Sequence, residues 1–243
     1  KASEIQTLLS SNQTLIVAGD TGSGKTTQLP KICLNAGFGI AGLIGHTQPR
    51  RLAAISVANR ISEELDLGGR GGVAHQVRFA DTSDNESFLK LMTDGILLAE
   101  IANDPDLLKY EVIIVDEAHE RSLNIDFVIG YLHQLIRRRT DLKLIITSAT
   151  IDVDKFSAHF DNAPIVSVSG RTYPVEVLYN PIEEVGTSED YEKFAVKKAI
   201  DIIYSQSSNN GDILVFLASE REIRATLIFL QKQKFTNTEC LPL

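Results

Sequence analysis

Gly19-Asp20-Thr21-Gly22-Ser23-Gly24-Lys25-Thr26 is the stretch that decides the fold. It has GxxxxGK(S/T) spacing and lies between the apolar run Thr14–Ala18 and a helical pattern over Lys25–Asn35. A strand feeding a glycine-rich turn that opens a helix makes an anion cradle. The glycines let backbone N–H groups point inward with no Cβ in the way, and the helix N-terminus adds positive potential. Gly22, Ser23 and Gly24 would present those N–H groups to the phosphates of a nucleotide such as ATP. Lys25 would reach the β- and γ-phosphates, and Thr26 would offer its hydroxyl to Mg²⁺. The competing reading is a glycine-rich connection with a surface lysine. The flanking strand and helix favour the cradle.

Asp116-Glu117-Ala118-His119 closes a second apolar run, Val112-Ile113-Ile114-Val115. Ligands gather at the carboxyl edge of a parallel sheet, and the phosphate loop would share that edge. Asp116 would hold Mg²⁺, largely through water, and Glu117 would orient and polarise an attacking water beside the ion. An acidic pair at a helix N-terminus, favoured by the macrodipole, is the alternative explanation, and the phosphate loop upstream argues against it. Ser148-Ala149-Thr150 follows another buried run and should emerge at the same edge, although a helix N-cap before Asp152 explains it equally well.

Apolar runs alternate with amphipathic stretches through most of the chain. Thr14–Ala18, Leu43–Thr47, Glu111–Val115 and Leu142–Thr147 read as strands buried on both faces. Helical patterns cover about Lys25–Asn35, Arg51–Leu65, Gly95–Asn103 and Ser122–Arg138. Such alternation predicts an α/β fold with a parallel sheet flanked by helices. A turn at Gly68–Gly72 precedes a further strand over Val73–Phe79. The strand Ile165–Val168 ends this first domain, residues 1–168, and residues 169–174 form a linker. From residue 175 the pattern is a strand (Val175–Tyr179), an acidic loop, a helix (about Asp190–Gln206), the turn Asn209-Asn210-Gly211, a strand (Asp212–Leu217) and a helix (about Glu220–Gln233). That is the opening of a second α/β domain, residues 175–243, whose two strands would not bury a sheet alone.

Composition narrows the field. A chain of 243 residues, 43% hydrophobic, has room for one large or two small cores. Its net charge of −8 argues against coating nucleic acid by electrostatics alone, while leaving room for a local basic groove. Cys33 and Cys240 stand far apart without metal-type spacing, which fits a reducing, cytoplasmic setting. No signal peptide or membrane-length apolar window is visible. A chain that starts at Lys1 and has Met92 as its one methionine reads as a piece of a longer protein.

Five collinear motifs then resemble one family. Gly19–Thr27 (GDTGSGKTT), Thr47–Arg51 (TQPRR), Thr93-Asp94-Gly95, Asp116–Asn124 (DEAHERSLN) and Ser148–Thr150 are similar in order and spacing to DEAH-box helicases of superfamily 2. The stretches Gly42–Arg51, Lys90–Glu100, Leu144–Asp152 and Ser169–Val177 resemble the bacterial HrpA type most nearly. The resemblance implies a RecA-like P-loop NTPase that couples ATP hydrolysis to RNA translocation or unwinding. It implies Lys25, Thr26 and Thr27 at the phosphates and Mg²⁺, Asp116 and Glu117 at the metal and water, and Arg60 stacked on the base. It also implies that His119 couples the nucleotide site to the second domain, and that Ser148 and Thr150 link hydrolysis to unwinding.

Arg50, Arg51, Thr93 and Gly95 resemble residues that grip the RNA backbone, a mode that reads single-stranded RNA with little sequence preference and does not exclude DNA. Without the resemblance, Arg50 and Arg51 read as a solvated basic turn. Ala74-His75 stand where the family usually carries Gly-Tyr, and Leu217–Glu220 lacks its Pro-Gly; both departures loosen the expected RNA contacts nearby. His46 and His75 read as structural, and Arg137–Arg139 as a cationic helix C-terminus.

The family's arginine fingers, worth roughly 10³–10⁵ in rate in related enzymes, lie in the remainder of the second domain, which with the C-terminal domains of the longer protein is an implied partner. The chain alone is therefore expected to bind nucleotide and hydrolyse it slowly. A small-molecule kinase is the alternative function, and a non-catalytic nucleotide sensor a third.

Overall fold

In the computed structural model, apolar runs too short for helices become the strands of one sheet. The structure describes residues 1–20, 22–67, 71–149, 152–170, 175–179, 188–206, 211–233, 235 and 238–243. Thr21, the turn at 68–70, Thr150, residues 171–174, the acidic loop and Asn209-Asn210 lie outside the described residues. By contact density the chain divides into two compact units, Lys1–Tyr173 and Pro174–Leu243.

The first unit runs α1 (Ala2–Ser11), β1 (Thr14–Gly19), α2 (Lys25–Asn35), β2 (Leu43–Gln48), α3 (Arg51–Glu64), β3 (Val73–Val77), β4 (Ala80–Asp81), β5 (Leu89–Thr93) and α4 (Asp94–Asn103). It continues through β6 (Tyr110–Val115), a 3₁₀ turn (Ala118–Glu120), α5 (Leu123–Arg138), β7 (Lys143–Ser148), α6 (Val153–His159) and β8 (Ile165–Val168). The strands form one sheet in the order β4-β3-β5-β2-β6-β7-β1-β8. Every pairing is parallel except the short antiparallel β3–β4 ribbon at one edge.

Helices cover both faces, so successive residues of a central strand face different cores and both must be apolar. Ile113, Val115, Leu144 and Ile146 join the core under α4, α5 and α6. Val112, Ile114 and Ile145 join the core under α1, α2 and α3. Parallel strands aligned this way end together, which brings the loops after β1, β2, β6 and β7 to one edge.

Several elements differ from the sequence expectation. β5 is a central strand whose Lys90 interrupts the apolar pattern, and Lys90 is nevertheless buried. α1 buries Ile5 and Leu9, one turn apart, with Leu8 partly buried beside them, and α6 is a short helix with one buried residue, Phe156. In the second unit, α7 (Ser188–Gln206) and α8 (Glu220–Gln231) form as expected. Residues 175–179 and 212–217 do not form strands. A strand is held by its neighbours' hydrogen bonds, and among the described residues no ladder reaches either segment. Val196, Ile200 and Leu230 form this unit's small core.

Lys90 is tolerated because Glu100 on α4 meets it at 2.7 Å, with Lys109 at 2.8 Å and the Tyr110 hydroxyl on the same carboxylate. Burial pushes the Glu100 carboxyl up, and these donors outweigh it to leave the carboxyl below its ordinary range. Removing Glu100 strands a buried ammonium. Glu100→Ala is therefore expected to cost about 3–5 kcal/mol in urea unfolding. Lys109→Ala removes a half-exposed partner and should cost at most about 1 kcal/mol. Because the Glu100 pKa is depressed on folding, its contribution is complete above the ordinary carboxylate range and is lost as pH falls through the folded value.

Candidate active site

The loop between β1 and α2 is shaped by its glycines. Gly22 and Gly24 adopt left-handed φ angles of 82° and 83°, and Gly24 caps α2 in that conformation. A Cβ on Gly170, just past β8, would stand 2.9 Å from Ser23 Cα, so the chain after the last strand of the sheet buttresses the loop from outside. Residue 170 falls in the stretch that the sequence suggested was a linker. Lys25 is buried, and its Nζ donates to the carbonyls of Gly19 (2.6 Å) and Asp20 (2.9 Å) and approaches Ser23 Oγ at 3.3 Å. Thr27 Oγ1 donates back to Gly24 O at 3.4 Å.

Thr26 turns the other way. Its hydroxyl donates to Asp116 Oδ2 at 2.7 Å, joining the start of α2 to the end of β6. Asp116 is fully buried, and further donors reach it from β2, from β7 and from the residue that follows it. From β2, Gln48 Nε2 donates at 2.6 Å and His46 Nε2 lies at 3.3 Å, both on Oδ2. From β7, the Thr147 hydroxyl donates to Oδ1, which also accepts the Glu117 N–H at 2.9 Å. Burial alone would push the Asp116 carboxyl up. The donors from His46, Thr147 and Thr26 outweigh it and hold the carboxyl well below the usual range. Asp116 is thus a fixed anion beside the phosphate loop.

Glu117, just past the strand, sits in a left-handed conformation (φ 52°). It is half-buried, and its pKa is raised by burial first and then by the Asp116 charge, against the pull of His119 and Lys25. A carboxylate of raised basicity beside a fixed anion is suited to accept a proton from water. His119 Nδ1 lies 3.1 Å from the Ala149 N–H, which donates to it, and 3.4 Å from Glu117 Oε2, and so ties the turn after β6 to the end of β7. Ser148 is buried with no partner for its hydroxyl, and Thr150 lies outside the described residues.

The other candidates lie further out. Arg60 is exposed on α3 and donates to Glu64 at 2.7 Å; Glu64 also pairs with Lys31 of α2. Arg51 donates to the Arg78 carbonyl at 2.9 Å, and Arg50 pairs with Glu120 at 3.4 Å. Thr93 stands at the N-cap position of α4 without a capping hydrogen bond, and Gly95 lies in the first turn of that helix. Arg138 and Arg139 hold Asp106, Asp141 and the carbonyls of Pro105, Leu107 and Tyr110, in keeping with a structural helix end. His46 is not simply structural: it touches Asp116, as do Gln48 and Thr147, none of which the sequence reading placed in the site. Two polar residues at i and i+2 in an otherwise buried strand were the available signal.

The family model of the DEAD/DEAH box helicases matches residues 2–157. The chain belongs to the DEAD/DEAH-box helicase family. Curated relatives agree. The chain is 59% identical over 241 residues to the ATP-dependent RNA helicase HrpA homolog of Haemophilus influenzae, covering 99% of this chain and 18% of that protein. It is 58% identical over 244 residues to HrpA of Escherichia coli (100% of this chain, 19% of that protein). To HrpA of Borreliella burgdorferi it is 45% identical over 231 residues (94% and 28%). The chain therefore spans less than a third of the length of these relatives. Family membership makes the first unit a RecA-like P-loop NTPase fold and displaces the kinase reading.

In this DEAH-box domain one further carboxyl is strained. Asp94, in the first turn of α4, is buried, and its Oδ1 has no hydrogen-bond partner. Burial pushes its pKa up to about 6; the charges of Glu120 and Asp116 add to the push and nearby Thr47 opposes it. A pKa raised on folding means that stability falls as pH rises from the ordinary carboxylate range through about 6. Asp94→Asn should remove a penalty of about 2–3 kcal/mol that is complete above that range. Urea unfolding at about pH 4.5 and about pH 7.5 checks this, the variant gaining clearly more on wild type at the higher value.

Proposed function

We propose that the chain is the ATP-binding and ATP-hydrolysing core of an RNA helicase, using hydrolysis to drive translocation along RNA or its unwinding. The observation that carries the reading is the Thr26–Asp116 hydrogen bond: it joins the phosphate loop to the DEAH segment and sets a hydroxyl and an ionised carboxylate side by side. Lys25 and the N–H groups of Gly22, Ser23 and Gly24 bind the phosphates, with Thr27 beside them. Thr26 and Asp116 would hold Mg²⁺, with Glu117 reached through water. The ion supplies charge neutralisation on the phosphates. Among the described residues no cluster of three His, Cys, Asp or Glu side chains could hold a metal by itself, which suits an ion that keeps several waters and takes phosphate ligands.

Glu117 orients the attacking water and accepts its proton. Arg60, steadied by Glu64 beside α2, is set to stack on the base. His119 carries the state of the site to the Ser148–Thr150 segment through Ala149. Arg50, Arg51, Thr93 and Gly95 grip a single-stranded RNA backbone through contacts that a DNA backbone shares. The boundary at 168, the linker to 174 and the partial second domain from 175 belong to this proposal, as do the rest of that domain as partner and a cytoplasmic setting. No helix among the described residues is long and apolar enough to cross a membrane.

ATPase turnover of the full-length protein carrying this chain tests the reading. Single-stranded RNA should stimulate turnover more than DNA of the same sequence. Glu117→Gln should keep nucleotide affinity while turnover falls by about 10²–10⁴. Turnover indifferent to RNA, or a Glu117→Gln variant that hydrolyses normally, would contradict it.

A further inference from the structure

The turn that carries Glu117 is held under tension. Glu117 and Arg121, both non-glycine, take left-handed φ angles of 52° and 48° at the two ends of the 3₁₀ turn Ala118–Glu120. Such backbone persists only where surrounding contacts impose it. Three side-chain ties do so: His119 to the Ala149 N–H at 3.1 Å, Arg121 to Asp126 at 2.6 Å, and Glu120 to Arg50 at 3.4 Å. The first two stay within the segments that follow β6 and β7. The third reaches the start of α3, where Arg50 is 78% exposed.

Glu120 is also badly placed without a cation. Its charge acts against the carboxyls of both Asp94 and Glu117. Arg50 is the cation paired with it. An exposed guanidinium is in turn a strong bidentate ligand for phosphate. Phosphate and Glu120 therefore compete for one group.

We propose that the Arg50–Glu120 ion pair is a latch through which the nucleic-acid backbone controls the DEAH turn. When an RNA phosphate takes Arg50, Glu120 loses its partner, the turn loses its tie to the start of α3, and the strained backbone is free to move Glu117. Glu120 is thus a positioning residue: it touches neither nucleotide nor RNA and reports the second to the first. The inference rests on the proposed reading of Arg50 as a phosphate contact. Exposed ion pairs are individually weak, so the latch biases the rate by about two- to fivefold and does not switch it on and off.

The test uses the full-length protein, with steady-state ATPase measured without RNA and at saturating single-stranded RNA, and RNA affinity measured by fluorescence anisotropy without nucleotide. Glu120→Gln should raise RNA-free turnover about two- to fivefold and lower the stimulation ratio by the same factor. It should also tighten RNA binding, because Arg50 is no longer shared. Arg50→Ala should raise RNA-free turnover likewise while weakening RNA binding. The exchanged pair Arg50→Glu with Glu120→Arg should return RNA-free turnover toward wild type and leave RNA binding weak, a pattern that loss of folding cannot produce. If Arg50→Ala weakens RNA binding but RNA-free turnover is unchanged in both single variants, the latch is wrong and the RNA reading stands. If Arg50→Ala binds RNA as wild type does, the phosphate reading of Arg50 itself falls, and the latch with it.

Discussion

A carboxylate with no exposed surface is stable only where donors replace the water it has lost, and Asp116 draws its donors from the start of α2, the ends of β2 and β7, and the residue after it. That requirement constrains the whole first unit. The β2–β6 and β6–β7 registers pair Thr47 with Val115 and Val115 with Ile146, which leaves the side chains of Gln48 and Thr147 level with the residue after Val115. A slip of one residue in either pairing would turn those donors to the opposite face and leave the anion uncompensated. Asp116 therefore works as a check on assembly as well as a candidate ligand. Its donors fix where the negative charge points, and Thr26 aligns that charge with the phosphate loop.

The rest of the site is arranged around this anion by graded exposure. Asp116 is held ionised by direct donors, Glu117 next to it is made more basic by burial and by its neighbour's charge, and Asp94 behind them is pushed up by burial with one oxygen unpartnered. Carboxyls placed within one edge of a sheet thus acquire different proton affinities without any change of residue type. The cations are spaced accordingly: Lys25 is folded into the loop, while Arg50 stands out at the surface against Glu120. An acidic protein of net charge −8 can in this way still offer local positive groups where a polyanion would approach.

Much of this was legible in the sequence because the central strands are apolar on both faces. Thr14–Ala18, Leu43–Thr47, Glu111–Val115 and Ile165–Val168 all became strands, and the spacing of the phosphate loop located the start of α2 at Lys25. What escaped had a physical reason in each case. β5 hides behind Lys90, whose partner Glu100 is ten residues away on α4 and cannot be inferred from strand periodicity. Gly170 supports the phosphate loop from a stretch whose glycine and proline read as a linker. His46, Gln48 and Thr147 carry no motif; they matter because three strands distant in sequence end beside Asp116. Residues 175–179 and 212–217 show the converse error: strand-like composition forms no strand without a neighbour to complete its ladder.

The account stands most directly on Asp116 as the fixed anion that Thr26 joins to the phosphate loop. The decisive measurement is the affinity of the full-length protein for ATP with Mg²⁺ and with a chelator, for wild type and for Asp116→Asn, which keeps the shape of the side chain and removes its charge. The account predicts that Mg²⁺ tightens ATP binding in wild type and adds nothing in the variant, with the metal-free affinities alike. An equal gain from Mg²⁺ in both proteins would contradict it.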